Sequence, residues 1–192
     1  PLAFTSAPAL PPAASPAGPS SAVATSQLPP GALSPTAIEE VRLATDFVAK
    51  ARLPDARLVV EDKPAALADF NAVWRAEGGA GAVKIIQPGR DVTGIRIASD
   101  LIAVDPQLCK GDFSAARFRT DVGSRVVFSA VLSCSEANED RVTEYFVTPR
   151  HHGGFVVFAV IRSKAAGDRP GFDWQKIDVL SRAAIEAAES QG

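Results

Sequence analysis

Residues 116–163 read ARFRTDVGSRVVFSAVLSCSEANEDRVTEYFVTPRHHGGFVVFAVIRS. Val, Ile, Phe, Tyr and Thr gather there in four runs, 116–120, 125–133, 141–149 and 154–163. Such residues suit a pleated, half-buried surface. The runs are separated by Asp121-Val122-Gly123-Ser124, by Glu136-Ala137-Asn138-Glu139-Asp140 and by His151-His152-Gly153. Connections this short join antiparallel neighbours, because a parallel crossover takes a dozen residues or more. The stretch predicts an antiparallel meander.

Downstream, Pro170-Gly171 leads to Asp173, a natural helix N-cap. Trp174, Ile177, Leu180, Ala184 and Ala188 then recur at helical spacing. A meander followed by an amphipathic helix packs that helix across one face of the sheet. The fold class expected is α+β, an antiparallel sheet covered by helices.

Upstream the pattern is less even. Ile95, Leu101, Ile102 and Leu108 suit a helix over 92–108, limited by Pro106, and Pro88-Gly89-Arg90-Asp91 before it is a turn. Residues 64–77 read either as a short helix, through Leu67, Phe70, Val73 and Trp74, or as a strand over 70–75. The run Gly78-Gly79-Ala80-Gly81 favours a hairpin into 82–87. Residues 58–61 form a short strand. Ile38, Val41, Ala44, Val48 and Ala51 mark a helix to about Arg52, stopped by Leu53-Pro54-Asp55. Its start is capped either by Ser34 with Pro35 at the first position, or by a Thr36–Glu39 capping box.

Residues 1–35 hold nine of the fifteen prolines and no charged residue. Such a segment buries too little apolar surface to offset its ordering entropy and is expected to be a disordered linker, leaving a single α/β domain over 36–190. With no Met and Pro at residue 1, a signal peptide, an anchor or another domain is expected ahead of the chain. No stretch approaches the roughly 18 apolar residues of a membrane span. A net charge of -2 argues against nucleic acid, whose phosphates call for clustered Lys and Arg.

The two cysteines, Cys109 and Cys134, lie too far apart for a redox C-x-x-C pair, and two thiols alone make no zinc site. A disulfide between them is expected, closing a loop of about 25 residues worth about 3 kcal/mol, with two unrelated thiols as the alternative.

The candidate site residues are few. His151 and His152 have the chemistry of a metal ligand or general base, but adjacent residues in an extended segment point opposite ways. The glycine run near Lys84 lacks both phosphate-binding signatures. Glu136, Glu139 and Asp140 read as a solvated hairpin tip, not a carboxylate pair across a cleft. No nucleophile elbow occurs. No cofactor is implied. Aromatic residues in or beside the β-runs, Trp74, Phe128, Tyr145, Phe155 and Phe158, are mostly expected in the core. Trp74, Tyr145 and Phe155 are the candidates for a partner surface.

The elements Cys109-Lys110-Gly111-Asp112-Phe113, the strand ending at Cys134, Tyr145-Phe146-Val147-Thr148-Pro149-Arg150 and Gly153-Gly154-Phe155-Val156-Val157-Phe158 resemble exported domains of unknown function from α-proteobacteria. The resemblance covers just under half of the chain. In topology the order is also similar to PsbP-like α/β/α folds, which implies a sandwich and an accessory or assembly role, and assigns no site residue. The expectation is a non-catalytic periplasmic or envelope protein that binds a protein or another envelope component. An envelope hydrolase using His151 or His152, and a structural C-terminal module of a larger exported protein, are the alternatives.

Overall fold

In the computed structural model, residues 33–190 are described apart from 54, 60–62, 64–66, 68–69 and 167–172. The linker expected over 1–35 falls outside them as far as residue 32. The elements run α1 (Pro35–Lys50), β1 (Arg57–Val59), β2 (Ala72–Ala76), β3 (Gly79–Ile86), α2 (Gly94–Val104), a 3-10 turn (Asp105–Leu108), β4 (Asp112–Val122), β5 (Arg125–Ser135), β6 (Glu139–Pro149), β7 (Phe155–Ala165) and α3 (Trp174–Glu189). All seven strands form one antiparallel sheet in the order β1-β2-β3-β7-β6-β5-β4.

The meander is present, with strands longer than the apolar runs. The β4–β5 ladder runs from Asp112–Ser135 to Val122–Arg125 without a break. The hairpin reading of 70–87 also holds, but its turn is Glu77-Gly78, and Gly79 to Gly81 belong to β3. Gly78 at φ +69° and Gly123 at φ +60° supply the left-handed residue of their two tight turns.

The other glycines of the run serve packing. Gly81 lies opposite Trp74 in register, and a side chain on it would enter the indole ring. That absence lets Trp74 lie flat in the core, 1% exposed, with the Phe47 ring centroid 5.5 Å away and Phe158 stacked on Phe47 at 4.6 Å. Trp74 is therefore no partner surface, contrary to the expectation from sequence. Its place in a β-run was no sign of exposure, because indoles bury their large apolar area wherever the opposing strand leaves room.

Three layers result. Alternate side chains of a strand point to opposite faces. Val156, Phe158 and Val160 of β7, with Val142 and Phe146 of β6, pack against α1 and α3. Val157 and Val147 point the other way, with Ala130, Leu132 and Ala98, beneath α2.

Both α1 and α3 begin on a capping side chain. Ser34 Oγ accepts from the Ala37 N–H at 3.1 Å with Pro35 at the first helical position, which decides between the two caps considered. Asp173 accepts from the N–H groups of Gln175 and Lys176 at 3.0 and 3.2 Å.

The buried face of α1 is the expected one turned slightly: Ala44 and Ala51 are buried and Val41 and Val48 pack against the core. Ala37, Glu40, Leu43, Ala44 and Phe47 face the sheet, while Ile38 is 43% exposed. The buried Glu40 carboxylate explains the rotation. It accepts from the Ile85 N–H at 2.8 Å and from Asn71 Nδ2 at 2.6 Å. Strand β2 begins at Ala72, opposite Val83, so Ile85 lies beyond its reach and the carboxylate of α1 supplies the missing acceptor.

Candidate functional site

The histidines lie on the exposed turn between β6 and β7. Their rings meet edge to face at 5.3 Å, so the turn brings them side by side where an extended segment would have parted them. Among the described residues, the one grouping of three His, Cys, Asp or Glu ligand atoms lies elsewhere, at Cys109, Cys134 and Glu136. There the two sulfurs are bonded to each other, which removes the thiolates a metal would need.

That disulfide is the expected one, with Cα atoms 5.7 Å apart. Cys134 lies in β5 on the α2 side, two residues beyond Leu132. Cys109 directly follows the 3-10 turn that ends α2. The bridge therefore ties the end of α2 to the sheet. The hairpin tip beneath it is less solvated than its composition implies. Asp140 is buried, and Glu136 accepts from the Lys110 N–H at 3.1 Å and so braces the bridged loop.

Tyr145 and Phe155 sit half-buried beside the small core under α2. Gly94 allows this, since a side chain there would run into Phe128 and Phe155.

What sequence reasoning missed is the edge of the sheet. On one side the sheet ends in β1, three residues long. On the other it ends in β4, eleven residues long, with no buried residue and, among the described residues, no strand on its outer side. Edges are commonly blunted by shortness, charged side chains, Pro or a bulge, and of these β4 has only the charges of Asp112, Arg117, Arg119 and Asp121. Here β4 has neither Pro nor bulge, and Ser114, Ala115 and Ala116 are small, uncharged and exposed.

The two faces of β4 differ. On the α2 side a cavity of about 130 Å³ is lined by Ile95, Ala98, Arg117, Phe118, Arg119 and Phe128. Phe128 is opposite Arg119 in register and forms an apolar floor with Ala98. Arg117 donates to Ser99 Oγ, and Arg119 donates to Asp121 Oδ1 through Nε and Nη2 at 3.2 and 3.0 Å. On the α3 side Trp174, 60% exposed, stands edge-on to Phe118 with centroids 4.9 Å apart. Trp174 was expected on the buried face of α3, but the helix buries Ile177, Leu180, Ala184 and Ala188 and leaves its first residue out.

A second polar group lies under α3. Glu144, 1% exposed, accepts from Arg162 Nη2 at 2.7 Å, and its other oxygen and Arg162 Nε have no hydrogen-bond partner among the described residues. Burial pushes the Glu144 carboxyl above its ordinary range, outweighing the pull of Arg162 and Lys176. Burial also lowers Lys176, helped by the Arg162 charge.

No signal in the residues of 112–122 marked them as an edge, because that depends on which strands pair elsewhere. The alternation of Arg117 and Arg119 with Phe118 was the readable clue. No protein-family model matches the chain, and no curated protein matches it.

Proposed function

We propose that this chain is a non-catalytic binding domain of the cell envelope, which holds another macromolecule along the outer edge of β4. One observation carries the reading: a strand of eleven residues, unpaired on its outer side among the described residues, with arginines over one face and exposed aromatic surface over the other. An edge of that length is a template for pairing with another chain, and strand addition to an exposed edge is a recurring mode of peptide recognition. The disulfide supports an oxidising compartment, since such bonds are rare where thiols are kept reduced. Among the described residues no helix is long and apolar enough to cross a membrane.

The test is site-specific photocrosslinking in living cells that produce the protein. A photoreactive residue at Ala115, exposed on β4, is expected to give a discrete adduct. One at Thr45, exposed on α1, is not. Absence of any adduct at Ala115, or the same adducts from both positions, overturns the reading.

A further inference from the structure

We propose that the occupant of this edge is an extended peptide segment in which acidic and apolar residues alternate, added to β4 as an eighth strand. The inference rests on the binding reading above and names the chemistry of the partner.

The backbone sets the geometry. Val122 and Arg125 flank a two-residue turn and so form a hydrogen-bonded pair. The unbroken ladder then leaves the amide groups of every second residue, from Asp121 back to Phe113, pointing outward. An incoming strand meets a row of donors and acceptors with no bulge to interrupt it.

The side chains set the sequence. Residues of an added strand point alternately to the two faces of the sheet. On the α2 side they meet Arg117, Arg119 and the cavity between them and α2. The hydrogen-bond partner of Arg117 is the neutral Ser99 hydroxyl. Arg119 is joined to Asp121, but both side chains are about two-thirds exposed, and such a pair yields readily to a better-placed carboxylate. Arg96, on the same helix as Ile95, is held to Asp100 only at 4.0 Å. On the α3 side the added residues meet Phe118 and Trp174, whose exposed indole gains by being covered. Carboxylates on one face and apolar side chains on the other satisfy both.

Two other occupants fit less well. A second copy paired along the full strand by two-fold symmetry sets Arg117 directly against Arg117, and like charges opposite one another are destabilising. Nucleic acid could accept from the outward N–H groups through its phosphates, but phosphates have no donors for the outward carbonyls that alternate with them.

The test uses three labelled peptides with the intact protein: alternating Glu and Val, alternating Lys and Val, and Glu and Val in two blocks. Fluorescence anisotropy is expected to show binding of the alternating Glu peptide alone, weakened by salt. Amide exchange on β4 should slow when it binds. Arg117→Glu with Arg119→Glu should weaken binding at least about tenfold while thermal stability falls only slightly, since both side chains are exposed and the Arg117–Ser99 contact is a surface one. Trp174→Ala should weaken it about threefold. Equal binding of the Lys or block peptide, insensitivity to the charge reversal, protection away from β4, or dimers of the free protein paired through β4 would each overturn the proposal. The crosslinking experiment separates the two claims. An adduct at Ala115 without binding of the alternating Glu peptide removes this inference and leaves the binding reading. No adduct at Ala115 removes that reading whatever the peptide does.

Discussion

The two faces of the sheet are held by different physics. Beneath α1 and α3 lies a continuous apolar core in which Phe47, Trp74, Phe146, Phe158 and Leu180 are almost completely buried. Beneath α2 the fully buried residues are aliphatic, Ala98, Ala130, Leu132, Val147 and Val157, with no aromatic among them, and Ile95 on the helix is 51% exposed. The first face is fixed by the area it removes from water. The second depends on a covalent tie at the end of α2, with Arg117 and Ser99 bridging the helix to β4. A helix kept in place by a tether need not cover its sheet, and that is what leaves room for the cavity beside β4.

The largest expected effect tests the thicker face. Phe47→Ala removes a side chain stacked between Trp74 and Phe158 and should cost about 4 kcal/mol in chemical denaturation. Leu101→Ala, half-buried on α2, should cost about 1 kcal/mol. Equal losses would break the comparison.

Next comes the tether. Cys109→Ser with Cys134→Ser should cost about 3 kcal/mol under oxidising conditions and nothing in reductant. Hydrogen exchange sharpens the point: amides of α2 should speed up in the variant well before those of α1 and α3. Uniform acceleration would show that the bridge serves both faces alike.

The ion pair under α3 gives a smaller, pH-dependent effect. A carboxyl whose pKa is higher folded than unfolded binds its proton more tightly in the folded state. Stability therefore falls as pH rises above the ordinary value of about 4.5 and through the raised one. Glu144→Gln should flatten that fall in urea titrations between pH 4 and pH 8. An unchanged slope would place the source elsewhere. Smallest of all, Ile95→Ala should change stability by about 0.5 kcal/mol or less, since half the side chain is already in water.

The sequence was most readable where its pattern is local. Four β-runs with short connections announced the meander, and Asp173 announced α3, because alternation and capping act over a few residues. The buried face of α1 was read slightly off centre because Glu40 sits in the middle of it, and a carboxylate in a stripe reads as solvent until its partners, Asn71 just before β2 and Ile85 on β3, are known. Trp74 was misread for a related reason: Gly81, which makes room for it, looked like part of a turn. The neighbouring of β3 and β7 is a pairing across about eighty residues, which no local pattern encodes, and the free edge of β4 follows from it. The candidate site was therefore illegible as a site, although its residues were in plain view.

That same neighbouring orders events in time. Strand β7 is near the end of the chain yet lies in the middle of the sheet, with β3 on one side and β6 on the other. The helix that completes the main core with α1 comes later still. A chain emerging N-terminus first, from a ribosome or through a pore, has α1 and the β2–β3 hairpin early but nothing to close them against. Closure waits for α3, so the domain stays threadable until its last element has emerged and locks only then.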